Sequence, residues 1–268
     1  MHAAAMSAVA AALLLVLADP AAAIEIRSPP GALHGFPSMS DETGTVIADG
    51  ELSQERRGDR LFVHASWVFR GGRKAEETAT FRLGTELAQE RFAWVETENG
   101  EEQRRFEVDF DVGDARSSVR RGDRVARAQE RLDLPSGRSF AGYGVALAAS
   151  QLALGPGDEA ELTFVAFTPG PRAITLSIRN EGEQGISTAG RSIACDRFTL
   201  HPKLPLLVRP FVHPRDALLW FTHGAPRALV RAEQELAAKD DPRVVIDVIP
   251  RGAVQARSPR RAARDRPR

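Results

Sequence analysis

Residues 105–112 read Arg-Phe-Glu-Val-Asp-Phe-Asp-Val, in which apolar and acidic side chains alternate strictly. An extended strand places alternate residues on opposite faces. One face therefore carries Phe106, Val108, Phe110 and Val112, and the other carries Glu107, Asp109 and Asp111. A strand with one buried and one solvated face is typical of an antiparallel sheet. Residues 78–83 and 173–178 repeat the pattern, so the sequence predicts a mainly β protein.

Glycine-containing turns predict how neighbouring strands pair. Gly71-Gly72-Arg73, as a three-residue loop, would place Phe69 opposite Ala75 and Val63 opposite Phe81. A two-residue Gly-Gly loop would mix polar and apolar side chains on each face. A shift of one residue inverts every side chain of a strand, so we prefer the longer loop.

A second turn, Gly113-Asp114, follows the acidic strand. As a two-residue loop it would place Val108 opposite Val119 and Asp111 opposite Arg116. Carboxylates in such a cluster are the ligands that hard cations prefer. The cross-strand arginines already provide partners for them, so we expect no metal site here.

The third turn, Asn99-Gly100, is the strongest hairpin signal in the chain. A two-residue loop would place Ala93 opposite Phe106 and would put Trp94 on the charged face beside Arg105. A longer loop would instead bring Trp94 into the core. The sequence leaves both registers open.

One segment, residues 139–154, departs from the strand pattern and predicts the only helix of the domain. It is rich in alanine, and Gly155-Pro156-Gly157 would end it. Its larger apolar residues recur near helical spacing: Phe140, Tyr143, Leu147 and Leu154. Because it is apolar on nearly all sides, we expect it to be buried.

The predicted architecture is a strongly curved antiparallel sheet, a half-barrel, that encloses this helix. We expect a single β-rich domain over residues 45–250, preceded by a leader or linker at 24–44 that is rich in proline, glycine and serine. Beyond the helix, further strands are expected near 159–168, 172–179, 192–200, 216–222, 227–235 and 243–249.

The first 23 residues resemble a secretory signal peptide. Residues 6–18 are almost wholly apolar, Asp19-Pro20 interrupt the run, and Ala21-Ala22-Ala23 supplies the small residues that precede a cleavage site. The apolar run is too short for a membrane-spanning helix. We therefore expect a periplasmic or secreted protein, with a buried N-terminal helix as the alternative.

The charges of this neutral chain are distributed unevenly. Residues 251–268 hold seven arginines and one aspartate, a net charge of +6. We expect this tail to be disordered and solvated, and an electrostatic contact with an anionic surface is its functional alternative. Export argues against a nucleic-acid partner. The one cysteine, Cys195, excludes an intramolecular disulfide, so the apolar core must stabilise the domain.

An apolar, proline-rich connection spans residues 200–214, where four prolines exclude a central strand. Such a segment suits the lip of a cavity or a surface for a partner, although an ordinary packed loop is the alternative. The residues expected to contact an apolar ligand are Leu204, Leu206, Leu207, Phe211, Val212 and Trp220.

The sequence shows no set of residues that is typical of an active site. Cys195 lies in an alternating strand, and His201 is too distant along the chain to serve as its base. The histidines show no metal-ligand spacing, and no Gly-rich nucleotide-binding motif is present. We therefore expect no catalytic residue, no metal and no cofactor.

Two C-terminal motifs carry a resemblance to known proteins. Pro214 and Trp220 have five residues between them, and residues 225–233 read Ala-Pro-Arg-Ala-Leu-Val-Arg-Ala-Glu. This ending resembles that of exported bacterial proteins of unknown function, which are similar in layout to periplasmic lipoprotein carriers. The resemblance implies a half-open β-barrel around a helix, and it assigns structural roles here to four residues: Leu218, Trp220, Val230 and Glu233.

The sequence leads to two hypotheses of different classes. In the first, the protein is a non-catalytic envelope protein that binds an apolar small molecule, such as an acyl chain, in the concave face of its sheet. In the second, it is a structural module of the cell envelope that contacts another envelope protein through residues 200–214.

Overall fold

The computed structural model describes residues 23–188, 191–203, 215–238 and 241–248. These residues form sixteen strands and one helix. In chain order the elements are β1 (Leu33–Gly35), β2 (Ser38–Asp41), β3 (Val46–Arg57), β4 (Arg60–Phe69), β5 (Lys74–Leu83), β6 (Leu87–Glu98), β7 (Glu101–Asp109), β8 (Asp114–Arg121), β9 (Arg124–Arg131), β10 (Ser139–Phe140), α1 (Tyr143–Gln151), β11 (Glu159–Ala166), β12 (Arg172–Thr188), β13 (Arg191–Lys203), β14 (Ala217–Thr222), β15 (Leu229–Glu235) and β16 (Arg243–Asp247).

All of these strands belong to one open sheet, so the predicted mainly β class is confirmed. The strand order is β10-β11-β12-β13-β14-β15-β16-β2-β3-β4-β5-β6-β7-β8-β9, and β1 pairs with β3 outside this path. Only β10 and β11 pair in parallel; the other named pairs among the described residues are antiparallel.

Segment 24–44, which we expected to be a leader or linker, contributes two strands. β2 pairs with β16 on one side and with β3 on the other, so it joins the two halves of the sheet. Met39 of this strand is fully buried, and Ile24 lies in the core with 5% of its surface exposed. The strands are short and mostly polar, so alternation gave no signal for them.

The hairpins keep the predicted faces, but their registers differ from the predicted ones. In β4–β5, Phe69 and Arg73 close a three-residue loop at 70–72, which places Trp67, not Phe69, opposite Ala75. The predicted pairs are wrong by two residues. Because a shift of two preserves the side-chain alternation, Val63 remains buried.

The acidic strand ends earlier than predicted, at Asp109. Asp109 pairs with Asp114 around a four-residue loop, so Glu107, not Asp111, faces Arg116. Here the predicted register is wrong by four residues, again an even number. Val112 leaves the sheet and exposes 47% of its surface, because Gly113 turns the chain with φ 69°.

The register observed at Asn99-Gly100 combines one feature of each predicted register. The turn has two residues, both with positive φ, as the sequence suggests for this pair. A β-bulge between Glu96 and Thr97 then shifts the pairing by one residue. Trp94 consequently lies opposite Phe106, in the core.

The helix is shorter than the predicted 139–154 because Ser139–Phe140 forms β10 and Leu152 is extended. The expected burial of the helix is confirmed, since residues 144–149 are all buried. Its side chains pack in one cluster with side chains from both halves of the sheet: Leu52, Leu61, Val63, Phe81, Leu162, Leu176, Ile178, Phe198, Leu219 and Phe221. A second cluster groups Trp67, Phe69, Phe92, Trp94, Phe106, Val108, Val165 and Phe167.

Candidate functional site

Of the six residues expected to contact a ligand, Trp220 alone lies within the described residues. It is buried on β14, where its Nε1 donates to Gln184 Oε1 at 3.0 Å. Its neighbours Leu219 and Phe221 alternate with it and pack in the helix cluster, so Trp220 lies on the opposite face. The other five residues lie outside the described ranges: Leu204, Leu206, Leu207, Phe211 and Val212.

Most of the segment 200–214, which we expected to contact a partner, and all of the Arg-rich tail at 251–268 lie outside the described residues. Residues 204–214 and 249–268 are not among the described residues, so the proposed envelope-protein contact and the anionic-surface contact stay predictions.

The helix α1 has no caps of its own. Gly142 precedes it without a side chain, its first turn holds no acidic residue, and its last turn holds no basic residue. The terminal N–H and C=O groups of a helix need partners when they are buried. Residues from distant parts of the sequence supply these partners, some on strands and one, Arg227, in the connection between β14 and β15.

Glu77 of β5 binds the N-terminal end of α1. Its Oε1 accepts a hydrogen bond from the backbone N–H of Tyr143 at 2.5 Å. The side chain exposes 8% of its surface and lies between Ala75 and Ala79 on the buried face of the strand. Burial raises the pKa of Glu77 to about 7, because the charged form loses hydration, although the Tyr143 hydrogen bond acts in the opposite direction.

Gln89 of β6 binds the chain immediately before the helix. Its Oε1 accepts from the N–H of Ala141 at 2.8 Å, and its Nε2 donates to the same residue's carbonyl at 3.3 Å. A Cβ at Gly144 would lie 2.3 Å from Gln89 Oε1, and a Cβ at Gly142 would lie 2.3 Å from Glu77 Oε1. These two glycines weaken an isolated helix, but this packing requires them.

The side chain of Tyr143, at the start of the helix, reaches a polar side chain of β3. Its hydroxyl lies 3.5 Å from Gln54 Oε1, and Gln54 Nε2 donates to the carbonyl of Gly31 at 2.8 Å. Burial, together with the charge of Glu77, raises the pKa of Tyr143 to about 12. The phenol is therefore protonated at physiological pH and can both donate and accept hydrogen bonds.

The C-terminal end of α1 is bound by Arg227. Its Nη1 donates to the carbonyl of Leu152 at 2.7 Å, its Nη2 lies 3.6 Å from Asp196, and its guanidinium lies over the ring of Phe198. A cation at this end of a helix interacts favourably with the helix dipole, as does a carboxylate at the other end.

Solvent reaches the N-terminal end of this otherwise buried helix. Gly142 is exposed and Tyr143 is half-buried, whereas Ala141 and residues 144–149 are buried. Glu77 Oε1 and a Phe92 carbon each lie 2.3 Å from the position that a Cβ of Gly142 would take, so both side chains pack closely against this glycine. We call this place, with Gly142, Tyr143 and Glu77 around it, the helix-entry site.

The other sequence candidates show ordinary structural contacts. Cys195 is buried, and burial together with the nearby charge of Asp196 raises the pKa of its thiol. His201 lies six residues further along the same strand, about 20 Å away by strand geometry, and its Nδ1 is 2.7 Å from Asp216. Within the described ranges, no three His, Cys, Asp or Glu side chains come together as a metal site would require.

The described part of the chain contains no helix that is both long enough and apolar enough to cross a bilayer. No protein-family model matches the sequence, and no curated protein matches it.

Two solved structures align with most of the chain at low similarity. One is the hypothetical lipoprotein YmcC from Escherichia coli (K12), which is 13% identical, with 81% of this chain and 84% of that chain covered and a TM-score of 0.35. The other is a DUF1089 family protein from Pseudomonas aeruginosa, which is 12% identical, with 72% and 85% covered and a TM-score of 0.34.

Proposed function

We propose that this protein is a non-catalytic protein of the cell envelope that binds an apolar, lipid-like molecule between α1 and the sheet. The observation that carries the proposal is the environment of α1. The helix is apolar on nearly all sides and packs with both halves of the sheet, yet solvent reaches its N-terminal end at Gly142.

Contacts between distant strands support a sheet that curves around the helix. Phe167, which follows β11, stacks on Phe106 of β7 with ring centroids 4.7 Å apart, and on Phe92 of β6 at 6.0 Å. β11 and β7 lie near opposite ends of the strand order. Contact between the two regions favours a concave inner face, which is the geometry that would hold an elongated apolar ligand.

The signal-like residues 1–23 support a location outside the cytoplasm. Ile24, the first residue after the expected cleavage site, is buried in the core. N-terminal sequencing of the protein recovered from the periplasm or medium tests this part of the proposal. A first residue of Ile24 supports export with cleavage, whereas an intact first segment contradicts it.

Extraction of the purified protein tests ligand binding. We expect organic extraction and mass spectrometry to recover the same apolar molecule from independent preparations, in an amount comparable to the protein. A fluorescent acyl probe added to the delipidated protein should bind and should be displaced by the recovered molecule. Protein that is reproducibly empty and that does not bind the probe would overturn the proposal.

A further inference from the structure

We propose, building on the function above, that the apolar ligand ends in a hydrogen-bond-donating head group, an alcohol or an amine, and that Glu77 accepts it at the helix-entry site. Of the two oxygens of this carboxyl group, Oε1 accepts from the Tyr143 N–H. No hydrogen bond to Oε2 occurs among the described residues. The side chain is nevertheless more than nine-tenths buried.

Oε2 is not among the buried side-chain atoms of the described residues that lack a hydrogen-bond partner, so it keeps some contact with solvent, and a donor from a ligand would replace that water. The residues paired with Glu77 on the neighbouring strands do not supply such a donor: Ala65 on β4 has none, and the indole N–H of Trp94 on β6 donates to Glu96. The helix packed against it carries no charged residue. Among the described residues, no lysine or arginine forms an ion pair with Glu77, so a donor from a ligand would meet no competing cation.

The remaining groups near this carboxyl are also suited to a polar head group. Tyr143 stays protonated, and Gln54 lies beside its hydroxyl. Together they offer donors and acceptors around a single acidic group, while Phe92 and the helix are apolar. A ligand that ended in a carboxylate would place a second negative charge beside Glu77, which is unfavourable unless the two share a proton.

Three probes with the same chain length distinguish an amine, an alcohol and a carboxylate head group: dodecylamine, dodecanol and dodecanoate. Their affinities for the delipidated full-length mature protein are measured by displacement of a fluorescent acyl probe at about pH 8, where most Glu77 is ionised. We expect the amine and the alcohol to bind at least about tenfold more tightly than the carboxylate, a difference of about 1.4 kcal/mol.

Two variants of neighbouring residues test the role of the carboxyl group. Glu77→Gln should remove most of the preference for the amine, whereas Glu76→Gln, on the exposed face of the same strand, should leave it unchanged. If Glu77→Gln does not fold, the pH dependence of the parent protein is the second measurement. Lowering the pH to about 5 protonates Glu77 and should abolish the preference for the amine over the carboxylate.

The possible outcomes distinguish this inference from the proposed function. Equal binding of all three probes, or tighter binding of dodecanoate, overturns the head-group inference and leaves the apolar-ligand function standing. An unchanged preference in folded Glu77→Gln also overturns it. Failure of every probe to bind overturns both proposals.

Discussion

Glu77 and Arg227 bind opposite ends of the same helix. Glu77 Oε1 accepts from the N–H of Tyr143 at the first turn, and Arg227 Nη1 donates to the carbonyl of Leu152 just beyond the last turn. Each pair is widely separated in sequence, by 66 and 75 residues. A carboxyl group at the N-terminal end and a guanidinium at the C-terminal end match the two poles of the helix dipole, so these two residues act as caps of the helix.

Arg227→Ala should reduce the free energy of unfolding by about 1.5–3 kcal/mol. The substitution removes the hydrogen bond to Leu152 and the contact with Phe198, and it leaves the carbonyl at the helix end without its partner. Urea denaturation measures the change. Arg179→Ala is the matched control, because Arg179 is largely exposed and its pair with Glu181 is long, 3.9 Å. The control should change stability by less than about 0.5 kcal/mol.

The ionisation of Glu77 should make stability depend on pH. Its pKa is near 7 in the folded state against 4.5 in the reference state, so between these values the folded protein holds a proton that the unfolded chain has lost. Stability must therefore fall as pH rises through this window and then level off above about pH 7. The full contribution is about 3 kcal/mol, at 1.36 kcal/mol per pKa unit.

Urea denaturation between about pH 4 and pH 8 measures this contribution as the difference between the parent protein and Glu77→Gln. The difference should change in favour of the variant as the pH rises. Parallel stability profiles for the two proteins would show that the carboxyl group titrates normally, and the explanation from burial would then be wrong.

Substitution of Gly142 should reveal the close packing at the start of the helix. Gly142→Ala combines a positive φ of 53° with contacts at 2.3 Å to Glu77 and Phe92. Gly58→Ala has a φ of 64° in open space, so it measures the cost of a positive φ without a steric clash, whereas Gly142, with ψ −134°, also lies outside the left-handed helical region. We expect the Gly58 variant to lose about 1 kcal/mol and the Gly142 variant clearly more. Equal losses in thermal or urea denaturation would contradict the packing argument.

Glu96 is the centre of a second buried charge cluster, at the opposite end of β6 from Gln89. It accepts from Trp94 Nε1 at 3.0 Å and from Arg104 Nη2 at 2.5 Å, and Arg104 also binds Asp241. Glu96 is 2% exposed. Glu96→Ala should cost about 3–5 kcal/mol, because it leaves Arg104 partly buried with a single carboxylate partner.

Trp94 fluorescence and urea denaturation report this change, since the indole loses its acceptor in the Glu96 variant. Glu98→Ala is a suitable comparison, because Glu98 is the exposed last residue of the same strand and should have little effect. A stability loss below about 1 kcal/mol in Glu96→Ala would mean that the buried ion pairs contribute little.

The N-terminal segment should contribute to stability and not merely precede the domain. Ile24 is buried, its N–H donates to the carbonyl of Gly137, and its carbonyl accepts from Leu87. Ile24→Ala should cost about 2–4 kcal/mol. Leu33→Ala, at a position that is 40% exposed, should cost much less. Similar small changes for both variants would indicate that the segment is peripheral.

The sequence by itself determined which residues of a strand face the core. Phe106 and Val108 alternate with Glu107 along one strand, and they are buried whether the hairpin register is the predicted one or the observed one. Alternation depends only on the geometry of an extended backbone, and errors of two or four residues preserve it. Residue types along the chain also predicted a buried, apolar helix, and they placed turns close to the observed ones.

Only the tertiary structure decided the registers and the polar contacts. Trp94 enters the core because a β-bulge follows its turn, and no local pattern predicts the bulge. Glu77 lies on the same face as Ala75 and Ala79, and the group that its carboxylate binds there belongs to a helix that begins far along the chain. Contacts of this kind arise from the packing of distant elements, whereas a strand pattern records only the alternation of its own side chains.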